Sequence, residues 1–128
     1  MSPIKRMEVK KLPAANSTYS QAIKVGDVIY ISGQIAIDPS TNQLIKGDIK
    51  NQTEQIFSNL QLILEACSCS LEDVFKVQIY ITNFADIKKM NEIFAKHMIS
   101  RPVKTLAVVK DLYANAKVEM EFMALCED

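Results

Sequence analysis

Residues 74–81, VFKVQIYI, alternate strictly, with Phe75, Val77, Ile79 and Ile81 on one side and Val74, Lys76, Gln78 and Tyr80 on the other. A period of two is the mark of a strand with two different faces. Thr82 or Asn83 then supplies a helix cap, and Phe84, Ile87, Asn91, Phe94 and Met98, with Met90 beside them, recur at helical spacing. Pro102 ends that helix, and residues 103–109 read as another strand. A strand–helix–strand crossover makes its two strands parallel neighbours in one sheet.

The remaining elements attach to this unit. Residues 11–20 form a loop in which Pro13, Asn16 and Ser17 are turn formers, and Tyr19 is either a surface aromatic or part of a cleft. Residues 21–25 are a short strand, Gly26-Asp27 a hairpin turn, and residues 28–35 (VIYISGQI) a strong strand. Gly33 inside that strand marks a bulge or a point where another group approaches the backbone closely. After a loop over residues 38–47, Asp48 caps a helix that runs to about Cys67, its apolar stripe built from Ile49, Ile56, Phe57, Leu60, Ile63 and Leu64. The last strand spans residues 117–125.

Two helices can cover only one face of a sheet of about six strands. The apolar rows Phe75, Val77, Ile79 and Met120, Phe122 suit the covered side. The other face would carry Tyr30, Ser32 and Gln34, then Lys76, Gln78 and Tyr80, then Lys104, Leu106 and Val108, then Glu119, Glu121 and Met123. This is too apolar for a solvated surface and too polar for a core. It predicts a subunit interface with clefts at its edges, and a closed homo-oligomer.

Two side chains on these elements need a partner. Lys104 is a cation on a strand, and either pairs with Glu119 in a structural ion pair or anchors an anion between subunits while Glu119 handles protons. Asn91 is an amide in an apolar row; it either bonds a loop backbone or holds a loop or ligand at a site.

The 128 residues fit one domain, spanning 1–128, and 48 % apolar content suffices for a core. Fifteen basic and fifteen acidic side chains cancel, which leaves no electrostatic footprint for nucleic acid and little self-repulsion between copies. The three cysteines, Cys67, Cys69 and Cys126, are odd in number and without framework spacing, which argues against a disulfide scaffold and for a reducing compartment. The C-x-C spacing is not that of zinc, and the single histidine, His97, is distant in sequence, so no metal is expected. The N-terminal MSPIKRMEVKK has no apolar signal region and no run approaches a membrane span, so the expected location is cytoplasmic.

Four stretches carry a resemblance in correct order: Tyr19-Ser20-Gln21-Ala22; Ile31-Ser32-Gly33-Gln34; Gly47-Asp48-Ile49 with Gln52-Thr53; and Val118-Glu119-Met120-Glu121. Together they resemble the YjgF/YER057c/UK114 family, the Rid (reactive intermediate deaminase) proteins, also called endoribonuclease L-PSP. The residue before Tyr19 is Thr18, where the family has proline. The resemblance implies a chorismate-mutase-like α+β fold with a mixed sheet and two helices on one face. It implies a homotrimer with inward-facing sheets and clefts between subunits. It implies cofactor-free hydrolysis of enamines and imines, such as 2-aminoacrylate, to a 2-keto acid and ammonia, the activity of a 2-iminobutanoate/2-iminopropanoate deaminase.

Carried onto this chain, the resemblance makes Tyr19 and Ser32 cleft-lining and brings the Gly33 backbone against ligand. Asn91 matches a cleft asparagine, Thr105 a small residue beside the ligand, and Glu119 the glutamate that positions the attacking water. Lys104 stands where the family has an arginine for the substrate carboxylate, and Leu106 where it often has cysteine. Arginine clamps a carboxylate with two parallel bonds, whereas lysine offers a point charge on a flexible stem. Two other functions stay open: a non-catalytic trimer that binds a small carboxylate, and the RNA-cleaving translation inhibitor of the older family name.

Overall fold

The computed structural model describes residues 3–13 and 18–127; Asn16 and Ser17, expected as turn formers, lie outside the described residues. The elements are β1 (Ile4–Met7), β2 (Ala22–Val25), β3 (Val28–Gln34), β4 (Ile37–Asp38), β5 (Gln43–Leu44), α1 (Ile49–Ala66), β6 (Val74–Ile81), α2 (Ile87–His97), β7 (Val103–Val108) and β8 (Val118–Leu125). The main sheet has six strands in the order β1-β2-β3-β8-β6-β7, and β4-β5 form a small separate hairpin. Only β6 and β7 pair in parallel, as the crossover through α2 requires. The other pairs in this sheet are antiparallel.

Local chemistry explains the boundaries. At the β2–β3 turn Val25 faces Val28, and Gly26 takes φ +61°, so the first central residue is the one that needs glycine. Asp48 caps α1 reciprocally with Asn51: the Asn51 N–H donates to Asp48 Oδ1 at 2.9 Å, and the Asp48 N–H to Asn51 Oδ1 at 3.2 Å. A Cβ on Gly47 would meet Asn51 Cβ at 2.8 Å, so the tight cap requires glycine before it. The apolar stripe of α1 packs onto the sheet, with Phe57 at the centre, edge-on to Phe94 of α2 and to Phe122 of β8. Each such aromatic contact contributes about 1 kcal/mol beyond its buried area. No helix among the described residues is long and apolar enough to cross a membrane.

Three expectations about the sheet are corrected. First, β1 was not foreseen, because IKRM lacks alternation; it gains its strand form from pairing with β2. Second, Phe75 does not join the covered row. A register shift between Val74 and Lys76 makes it the extra residue of a bulge, so Val74 is buried and Phe75 stays 40 % exposed. Third, a bulge between Ile31 and Gln34 reverses the parity of β3. Gln34, assigned to the mixed face, therefore turns inward opposite Met120 and is 7 % exposed.

The same parity argument moves β7. Lys104 pairs with Val77, Leu106 with Ile79 and Val108 with Ile81, so these three share the helix-covered side. Thr105, opposite Gln78, stands on the open face with Val103 and Ala107. The sequence of β7 alternates without revealing which face is which; only its register against β6 decides it.

Candidate active site

The β3 bulge builds the site. Ser32, within it, donates its hydroxyl to the Ser20 carbonyl at 2.5 Å, and its N–H to the Gln21 carbonyl at 3.0 Å. Gln34 Nε2 bonds Gln21 Oε1 at 3.1 Å, and Gln21 Nε2 in turn bonds the Pro13 carbonyl at 3.2 Å. The Tyr-Ser-Gln-Ala and Ser-Gly-Gln stretches are thus two halves of one hydrogen-bonded clasp, which holds the Tyr19 segment over the bulge.

Gly33 is open on one side to Glu119. A Cβ there would meet Glu119 Oε2 at 2.8 Å and Cδ at 2.9 Å, so only glycine lets the carboxylate lie against this backbone. The close approach expected at Gly33 is therefore made by a side chain of the same chain. Glu119 stands on β8, opposite Tyr80 of β6, on the open face. Burial, and then the Glu121 carboxylate, push its carboxyl above the usual carboxylate range. Its strand is held in place two residues earlier: the Lys117 N–H donates to the buried Gln52 Oε1 at 2.9 Å, and the Lys117 carbonyl accepts from Thr82 N–H at 3.2 Å.

Tyr19, Gly33 and Glu119 line one cavity of about 550 Å³, together with Gln34, Asn59 and Tyr113. The size suits a small molecule. Ser32 lines an adjoining cleft with Tyr19. Tyr113 and Asn59 were not foreseen. Tyr113 is 82 % exposed beside Ala114 and Asn115, which both take positive φ; an exposed aromatic in a turn just ahead of the Glu119 strand was the available signal. Asn59 Nδ2 bonds the Ile37 carbonyl at 2.7 Å, so it holds β4 at the cavity wall. Its place in α1 looks like ordinary helix polarity until that contact is seen.

Lys104, Asn91 and Thr105 belong to a second group, on the β7 edge. Lys104 Nζ donates to Asn91 Oδ1 at 2.7 Å and lies 4.4 Å from the centroid of the Phe94 ring. Burial lowers the proton affinity of its amine. Asn91 thus orients the ammonium. The expected proximity of Lys104 and Glu119 is overturned. They lie on opposite faces, on strands separated by β6, which alone places them roughly 10 Å apart across the sheet. They form no ion pair within one chain.

The endoribonuclease L-PSP family profile matches residues 9–126. A RutC family protein of Pyrococcus abyssi is 42 % identical over 119 residues, covering 92 % of this chain and 94 % of that one. The 2-iminobutanoate/2-iminopropanoate deaminase of Dermatophagoides farinae is 34 % identical over 128 residues, covering 99 % of this chain and 100 % of its own length. Among solved structures, RidA of an Antarctic Psychrobacter species superposes with TM-score 0.88 at 38 % identity, covering 94 % of this chain and 98 % of that one. TdcF of E. coli, solved with bound serine, superposes with TM-score 0.87 at 28 % identity, covering 96 % and 99 %.

Proposed function

This chain belongs to the endoribonuclease L-PSP (YjgF/Rid) family, and from that premise we propose that it hydrolyses small enamine and imine acids to 2-keto acids and ammonia. The observation that carries the reading is the Glu119 carboxyl, raised in proton affinity and laid against the Gly33 backbone inside a cavity large enough for a small acid. The relative named as a deaminase and the neighbour solved with serine support the substrate class.

In this reading the enamine tautomerises to the imine, and water adds to the imine carbon. Glu119 takes a proton from that water and returns it to the amine, which leaves as ammonia. A carboxyl with raised proton affinity is better suited to returning the proton than an ordinary carboxylate. Tyr19 and Ser32 shape the approach. The anion anchor is Lys104, supported by Asn91 and flanked by Thr105. Because Lys104 is remote from Glu119 within one chain, the site is completed by a second copy: the β7 edge of one subunit closes the Gly33–Glu119 cavity of the next. A homotrimer with inward-facing sheets does this three times. The unpaired β7 edge, with Val103 66 % exposed on the open face, supports such a contact. We assign the protein to the cytoplasm, as one domain over residues 1–128, with no cofactor.

The test is ammonia-producing threonine dehydratase turnover in the presence of semicarbazide. Added protein should lower semicarbazone formation. Lys104→Ala should abolish the effect and Lys104→Arg should keep or raise it; undiminished trapping by the wild type sinks the reading. Light scattering checks the trimer, since a monomer would leave Lys104 and Glu119 apart. Binding of a small carboxylate by calorimetry, with no change in trapping, would select a non-catalytic role, which the single point charge of Lys104 favours.

A further inference from the structure

We propose that Cys69 and Cys126 are a reversible oxidation site that staples the end of the sheet remote from Glu119, a role independent of the deaminase reading. Two cysteines that the sequence leaves unpaired meet here: their sulfurs are in contact, and the Cα atoms are 5.8 Å apart, inside the range that a disulfide spans without backbone movement. Sequence spacing could not show this, because the residues are separated by 57 positions.

Both ends are held by backbone. Cys69 follows α1, where Ser68 takes φ +60° and the Cys69 N–H donates to the Leu64 carbonyl at 2.8 Å. Cys126 follows β8 and donates its N–H to the Asp27 carbonyl, in the β2–β3 turn, at 2.7 Å. Closing the bond therefore ties three segments together: the end of α1, the end of β8 and the hairpin turn. Glu119 lies near the other end of β8.

A metal is the rival use of this cluster, since Asp73 brings a carboxylate and the three ligand atoms lie within 4.8 Å of one another. The chemistry favours oxidation. Asp73 Oδ2 already accepts the Ser70 N–H at 2.9 Å as a local cap, which accounts for its position. Two thiols and one engaged carboxylate fall short of the four donors of a closed zinc site. Cys67, the free cysteine, is buried and its thiol is pushed up by burial, so it competes poorly as a thiolate.

The oxidant is a peroxide. One thiolate attacks a peroxide oxygen, giving a sulfenic acid and releasing water; the second thiol attacks that sulfur, a second water leaves, and the S–S bond forms. Two thiols lose two electrons and two protons, and one hydrogen peroxide becomes two waters. A dithiol reductant reverses the step by exchange.

The experiment uses the full chain, exposed to hydrogen peroxide or to dithiothreitol, then alkylated and weighed intact. One of the three cysteines should label after peroxide and all three after reduction. The oxidised form should melt roughly 10 °C higher, because the bond closes a long loop in the unfolded chain. Cys67 and Cys69 fall in one tryptic peptide, so variants assign the pair. Cys67→Ala should keep both the bond and the melting difference, and Cys69→Ala should lose both. Full labelling after peroxide, equal melting of the two forms, a bond that survives Cys69→Ala, or stoichiometric zinc on the reduced protein would each overturn the proposal.

Discussion

Gly33→Ala tests the construction of the site with a single methyl group. The new Cβ would stand 2.8 Å from Glu119 Oε2 and 2.9 Å from Cδ. To regain ordinary van der Waals separation the carboxylate must retreat by about half an ångström. That displacement is cheap for folding, since the obstacle is the far end of a flexible side chain. Gly33 is not among the residues with positive φ, so alanine fits the backbone, and its lower unfolded-state entropy offsets the crowding by about 0.4–1 kcal/mol. Catalysis is less tolerant. A reacting group misplaced by about 1 Å loses on the order of a hundredfold, so half that distance should lower kcat/KM by roughly tenfold or more, ~1.4 kcal/mol of barrier. The assay pairs the initial rate of imine hydrolysis with a thermal melt of the same sample. The expected result is a Tm within a few degrees of the wild type and a clear loss of rate. Full activity in a folded Gly33→Ala variant would mean that the carboxylate need not lie against this backbone, and the mechanism would fail at its central contact.

Other perturbations reach different parts of the same frame. Glu119 has its native proton affinity raised, so the native state holds its proton more tightly than the unfolded chain does. Stability is then undiminished below the ordinary carboxylate range and falls as pH rises through the window up to the raised native value. Glu119→Gln removes that loss, so its melting advantage over the wild type should be larger at pH 7 than at pH 4; an advantage independent of pH refutes the burial argument. Gln52→Leu strands the Lys117 N–H, at a cost of about 1–3 kcal/mol. It should lower Tm by several degrees and also slow turnover, because the strand start that places Glu119 is released; an unchanged melt would show that the bond is dispensable.

Much of the architecture was written in local pattern. Strict alternation in residues 74–81, helical spacing on either side, and the Asp48 cap placed both helices and the crossover, because these depend on neighbours in sequence. The glycine inside β3 marked a close approach for the same reason. Two of the four stretches that carry the family likeness meet in the clasp, which uses the Ser32 hydroxyl and the side-chain amides of Gln21 and Gln34.

The faces were a different matter. A strand's two sides are legible from its own residues, but which side meets the helices depends on register, and a bulge inverts it. The bulges at Phe75 and at Ser32-Gly33 moved Phe75 out and Gln34 in. The register of β7 against β6 carried Lys104 to the helix side, onto Asn91 and Phe94. Cys69 and Cys126 met only because α1 and β8 end at the same corner. The elements and the crossover were legible in the residues themselves, since short-range sterics and periodicity specify them. Tertiary structure alone decided which of those residues meet, because pairing register and strand order are set by packing between segments distant in the chain. On that ground Lys104 and Glu119, neighbours in expectation, stand on opposite faces of the sheet.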